Sequence, residues 1–214
     1  QGMNAMELST LGAGFTDEAH GSQAVFRAVL QALSHPGRPV EVAHDAQVPS
    51  RGNAASAGLL LALMDADSRL WVSPTLAASD APAWLRFHTG CSIVNDPRQA
   101  QFAWIAEGPG ELPPLDAFAQ GSQSYPDTST TCVIDMKAFA SDEEACAAGQ
   151  RWTLRGPGIA GATQLAVHGL PAAFSLHWAA NHALFPCGVD VLLASSRHVV
   201  GLPRTTQVEP SAKA

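Results

Sequence analysis

The chain has 214 residues, of which 46% are hydrophobic and 14% charged, with a formal net charge of −7. A charged share so far below the usual ~25% excludes a disordered chain and predicts a generous core. The acidic balance argues against bulk attraction to nucleic acid or anionic membranes, and no apolar run reaches the ~20 residues of a membrane span.

In chain order, Gln1-Gly2-Met3 reads as a cleavage scar ahead of an initiator methionine, so residues 1–2 are set apart from the fold. A helix is predicted over Thr16–Ser34, with Thr16 as N-cap and Asp17 and Glu18 in the first turn. Val25, Phe26, Val29 and Leu33 form its apolar face, and His20, Gln23, Arg27 and Gln31 the opposite one. Ser34-His35-Pro36-Gly37 stops it. Val40–Ala43 is a short strand, Ala54–Met64 a second helix, Arg69–Val72 a buried strand and Pro82–Thr89 a short helix. Phe102–Ala106 is strand-like, Leu115–Gln120 helical and Thr130–Met136 a strand. Trp152–Leu154 and Gln164–Val167 read as two strands around a glycine-rich turn. Ala172–Ala183 is helical, Val189–Ala194 a buried strand, and Val199–Val200 leads to Gly201-Leu202-Pro203. Residues 209–214 are small and polar and expected to fray. Helices and strands alternate without repeat, linker or composition break. The expectation is one α/β domain over residues 3–208 with a mixed sheet, Thr130–Met136 and Val189–Ala194 being interior strands.

The residue patterns of most catalytic and cofactor-binding sites are absent. The cysteines, Cys91, Cys132, Cys146 and Cys187, form no CxxC pair and read as buried thiols in a reducing cytoplasm. Gly156-Pro157-Gly158-Ile159-Ala160-Gly161 has GxGxxG spacing. A dinucleotide turn, however, needs a helix next and an acid about 20 positions on. Strand-like Gln164–Val167 follows instead, and Asn181 stands near the acid's place, so a tight hairpin turn is the simpler reading. His177 and His182, five apart, point about 140° from one another on a helix, a poor metal clip. There is no HExxH, no GxSxG elbow and no Gly-Lys dipeptide for a Walker loop. His20 and Ser22 are too close in sequence to meet on one helix face. No catalytic, metal or cofactor-binding residue is therefore assigned. The His20/Gln23/Arg27/Gln31 stripe is a solvated face or a partner surface.

Several stretches together carry a resemblance. The first is Gly14-Phe15-Thr16-Asp17, with His20-Gly21-Ser22-Gln23, Phe26-Arg27 and Leu33-Ser34-His35-Pro36-Gly37. The others are Leu154-Arg155-Gly156-Pro157-Gly158-Ile159, Phe185-Pro186-Cys187-Gly188-Val189-Asp190 and Gly201-Leu202-Pro203-Arg204-Thr205-Thr206. In this order and spacing, over about residues 14–206, the chain resembles PhnH, a subunit family of the bacterial carbon–phosphorus lyase system. The resemblance implies a three-layer αβα sandwich like the large domain of pyridoxal-phosphate-dependent transferases, without the cofactor. It implies a homodimer that joins three other subunit types in a core complex. That complex forms ribose 1-methylphosphonate 5-triphosphate from ATP and methylphosphonate before carbon–phosphorus cleavage. The family assigns the chemistry to other subunits, so a required, non-catalytic role is expected. His20, Gln23, Arg27, Arg155 and Arg204 are the candidate partner contacts. The competing readings are a small-ligand module, binding a phosphonate or nucleotide through Arg155 or Arg204, and a pyridoxal-phosphate enzyme. The last would need a Schiff-base lysine, for which only Lys137 and Lys213 exist.

Overall fold

The computed structural model describes residues 11–140 and 149–211. Its elements are α1 (Glu18–Ser34), β1 (Val40–Glu41), α2 (Ala54–Leu63), β2 (Arg69–Val72), α3 (Pro74–Ala77), α4 (Ala81–Thr89), β3 (Ser92–Ile93), β4 (Phe102–Ile105), β5 (Thr131–Asp135) and β6 (Ala138–Ala140). They continue as β7 (Gln150–Arg155), β8 (Thr163–His168), α5 (Phe174–Ala183), β9 (Asp190–Ala194), β10 (His198–Leu202) and β11 (Gln207–Pro210).

A seven-stranded mixed sheet runs in the order β1-β10-β9-β5-β4-β2-β3. Strands β3, β2, β4, β5 and β9 are parallel, while β10 runs antiparallel to both of its neighbours, β9 and β1. As expected, β5 and β9 are interior, because strands apolar on both faces need cover above and below. On one face Leu70, Val72, Trp104, Val133, Leu192 and Val199 meet α1, α2 and α4. On the other, Ala103, Ile105, Cys132, Ile134, Val191 and Leu193 share a core with Trp152, Leu154, Leu165, Val167, Phe174 and Trp178. That second cover is only partly helical. A four-stranded antiparallel sheet, β11-β7-β8-β6, shares the layer with α5. Helices on both faces, the αβα expectation, are thus found on one face, and a sheet with one helix on the other.

Contacts distant in sequence moved several local features. The N-cap of α1 is Asp17 rather than Thr16: its Oδ1 accepts the His20 amide at 3.0 Å, while the Thr16 amide donates to Asp45 Oδ1. The buried face of α1 is Val25, Ala28, Val29 and Ala32, with Phe26 turned out to 46% exposure. The reason is Gly201 of β10, where a Cβ would stand 2.5 Å from the Ala32 carbonyl oxygen. Helix and strand touch backbone to backbone, so alanine fits the contact and phenylalanine does not. The Leu115–Gln120 helix is only a 3₁₀ turn over Leu115–Ala117, closed by Gln120 Nε2 donating to the Leu115 and Phe118 carbonyls. Residues beyond 208 do not fray at once: Glu209 and Pro210 lie in β11 beside Thr153 and Trp152, and the Ser211 amide donates to the Arg151 carbonyl.

Helix α2 is apolar on every side, which a surface helix is not. The segment 42–50 lies against its start, His44 Nε2 donating to the Ala54 carbonyl, and residues 11–16 bond to that segment and to α4. The Gln47 amide donates to the Ala13 carbonyl, the Ala13 amide to Gln47 Oε1, and Trp84 Nε1 to the Gly12 carbonyl.

Candidate functional site

In an open parallel sheet, ligands bind beyond the carboxyl ends of the strands, where helix N-termini offer amides to a phosphate. Here that place is filled from within. Asp135 closes β5 and is 4% exposed. Its Oδ1 accepts from Ser56 Oγ at 2.5 Å and Trp104 Nε1 at 3.0 Å, and its Oδ2 from the Asn53 amide at 3.1 Å. Asn53 and Ser56 form the start of α2, so the carboxylate sits where a bound anion would. Asn53 Nδ2 adds donors to the carbonyls of Met136 and Ala194, locking the helix end over β5 and β9. Burial pushes the Asp135 carboxyl up to about 6, against those hydrogen bonds. Glu111, 9% exposed, repeats the arrangement beside β2, accepting from the Thr75 amide and hydroxyl at the start of α3. Desolvation opposes its ionisation, but hydrogen bonds from Ser73 and Thr75 hold it below the ordinary range. Neither acid was singled out by the sequence; an acid ending an otherwise apolar strand was the available signal for Asp135.

The glycine-rich motifs converge at the opposite end of α1 from its N-cap. The turn after β7 is the expected hairpin, with Gly156, Gly158 and Gly161 all at positive φ and no helix following. A Cβ on Gly158 would stand 2.2 Å from the Ser34 carbonyl oxygen, so this turn is pressed onto the end of α1. The Gly37 amide donates to the Gly201 carbonyl.

Arg204 belongs to the same region, and its side chain is 12% exposed. Nε and Nη2 fork onto Asp190, Nη2 also reaches Ser129 Oγ, and Nη1 donates to the carbonyls of Pro126 and Pro186. All five guanidinium donors are engaged inside the fold. Arg155, by contrast, is exposed at the end of β7, its side chain without a hydrogen-bond or ion-pair partner among the described residues. His20, Gln23 and Arg27 lie together on the exposed side of α1, His20 held by Asp17 Oδ2 at 2.7 Å. Phe26 and Leu30, 46% and 51% exposed, run beside them as an apolar edge. The five sequence candidates therefore separate into an interior clamp, a hairpin-end cation and a helix face.

The described residues line, among others, two cavities of about 340 Å³. One lies between Leu115, Gln120, the α5 residues His177 and Ala180, and Leu184 just past that helix. The other lies under Phe15, with Glu18, Ser22, Asp65 and His88 at its wall. His177 and His182 do not meet: His182 Nδ1 donates to the Arg204 carbonyl, while His177 lines the first cavity. Among the described residues no three His, Cys, Asp or Glu side chains group as metal ligands. Lys137 stands exposed just past β5.

The comparison that decides the family is a profile described as "Bacterial phosphonate metabolism protein (PhnH)", matched by residues 13–209. The chain belongs to the PhnH family. It is 38% identical over 195 residues, 91% of this chain and 94% of the relative, to the alpha-D-ribose 1-methylphosphonate 5-triphosphate synthase subunit PhnH of Rhizobium meliloti (strain 1021). It is 29% identical over 191 residues, 89% of this chain and 87% of the relative, to the putative C-P lyase subunit protein HtxG of Stutzerimonas stutzeri. Of the stretches that carry the resemblance, those around Gly37, Gly158 and Gly201 meet at the end of α1.

Proposed function

We propose that this chain is a required, non-catalytic subunit of a carbon–phosphorus lyase assembly that makes ribose 1-methylphosphonate 5-triphosphate from ATP and methylphosphonate. The observation that carries the reading is full-length kinship with a relative named as a subunit of that synthase. The geometry supports it, because the two helix starts at the carboxyl ends of the strands hold Asp135 and Glu111 rather than an open phosphate cradle. The mixed sheet with a parallel run supports kinship with the large domain of pyridoxal-phosphate transferases. Partner contacts are assigned to the His20/Gln23/Arg27 face with its Phe26 and Leu30 edge, and to Arg155. In isolation the protein is a homodimer, and its place is the cytoplasm. Among the described residues no helix is long and apolar enough to cross a membrane.

The test is purification of a tagged copy from a phosphate-starved native host growing on methylphosphonate. The expected result is co-elution of the other synthase subunits and no turnover by the lone chain. A tagged chain that elutes alone, or that turns over substrate by itself, overturns the reading. One feature favours a second reading, a small-ligand module. The α5 cavity has the volume of a small-molecule site and keeps Gln120 Oε1 buried without a partner. Calorimetry with ATP and with methylphosphonate separates the two.

A further inference from the structure

The outer face of the small sheet is polar along β7. Period-two alternation along β7 turns Trp152 and Leu154 into the core and Arg151, Thr153 and Arg155 outward. The middle of that face is closed to further bonding. Gln164 Nε2 donates to Thr153 Oγ1, Ser211 Oγ lies 3.0 Å from Thr153 Oγ1, and Ser211 Oγ donates to Gln164 Oε1. On either side of this satisfied centre stand Arg151 and Arg155, four positions apart and so about 13 Å along the strand. Both are exposed, and neither has an ion pair or side-chain hydrogen bond among the described residues. Glu209, opposite Thr153, is the one carboxylate on the described strands of this face, and it pairs with neither arginine.

In a chain of net charge −7, a face whose described strands carry two arginines against one carboxylate is a local reversal of sign. We propose that this sheet face docks an acidic segment of a partner protein, whose carboxylates pair with Arg151 and Arg155. Two arginines in an otherwise acidic molecule are too few to hold a nucleic-acid backbone, whereas a pair of fork-shaped donors suits carboxylates. The inference rests on the subunit reading, naming one surface and its partner's chemistry.

The experiment assembles the tagged full chain with its co-eluting subunits at increasing salt, comparing wild type with R151E/R155E and the milder R151Q/R155Q. Both variants change exposed side chains and should fold as wild type by circular dichroism. Expected is assembly weakened about 10-fold by charge reversal, less by glutamine, with a flatter salt dependence in both. Equal assembly of all three proteins sinks the docking face and leaves the subunit reading standing. A wild type that never assembles overturns both. A wild type that retards a single-stranded oligonucleotide, with the variants failing to, assigns the face to nucleic acid and overturns this proposal.

Discussion

Arg204 and Asp190 are joined by a fork, Nε to Oδ1 at 3.1 Å and Nη2 to Oδ2 at 2.5 Å, reinforced by the Arg204 amide donating to Oδ1 at 2.7 Å. This one pair holds the loop after β10 against the start of β9. The remaining donors tie in Ser129, Pro126 and Pro186 from two further loops. Removing the side chain leaves Asp190 with the Arg204 amide as its one remaining donor among the described residues, and the Pro186 carbonyl with none. Arg204→Ala is expected to cost about 3 kcal/mol of stability, and Arg204→Lys nearly as much, because an ammonium cannot reproduce the fork. Urea unfolding checks it. A variant as stable as wild type would show that the clamp contributes nothing.

Asp135 makes a pH prediction with a definite sign. Its carboxyl is raised from the ordinary 3.8 to about 6, with burial the largest cause. Between those values the native state holds a proton that the unfolded chain releases. Stability from this group is therefore present at low pH and is lost as pH rises through about 6, by about 3 kcal/mol in all. Asp17, Asp45 and Glu111 are shifted the opposite way and lose stability as pH falls. They are common to wild type and Asp135→Asn and cancel in the difference. Denaturation midpoints from pH 4 to 7.5 should show wild type falling relative to the variant, and parallel curves would refute the assignment.

Gly201→Ala is expected to destabilise by about 2 kcal/mol, since its methyl would stand 2.5 Å from the Ala32 carbonyl oxygen and must push α1 away. Thermal melts measure the loss. Ala32→Gly should not restore it, because the clash is with backbone.

Pyridoxal phosphate should give no internal aldimine band on titration. Lys137 is exposed just past β5, and the nearby helix start, where a cofactor phosphate would sit, already holds the Asp135 carboxylate. A saturable band lost in Lys137→Ala would convert the subunit into an enzyme.

What the sequence disclosed follows the range of the forces involved. Strands β5 and β9 were legible because Thr130–Met136 and Val189–Ala194 are apolar or β-branched almost throughout, a property of the segment itself. The face of α1 was not, because its rotation is decided at Gly201, far along the chain. Asp135 was invisible as a site for the same reason: its donors Ser56 and Asn53 lie 79 and 82 positions away. The second sheet was half legible. The β7–β8 hairpin announced itself through its glycines, whereas β11 is a polar edge strand whose fourth residue is a proline. Arg204 carried a family motif and looked like a contact; only the geometry shows all five of its donors turned inward.

The path of the chain between β5 and β9 has a consequence for how the molecule comes apart. These two strands lie side by side, yet the chain leaves the large sheet after β5, lays down β6, β7, β8 and α5, and only then returns as β9. After β10 it leaves again, and β11 completes the small sheet against β7. Each sheet is thus sewn through the other, and no single cut in the backbone frees either one whole. Loosening one must unpick its neighbour, which makes the pair one mechanical body built largely from contacts between sequence-distant segments.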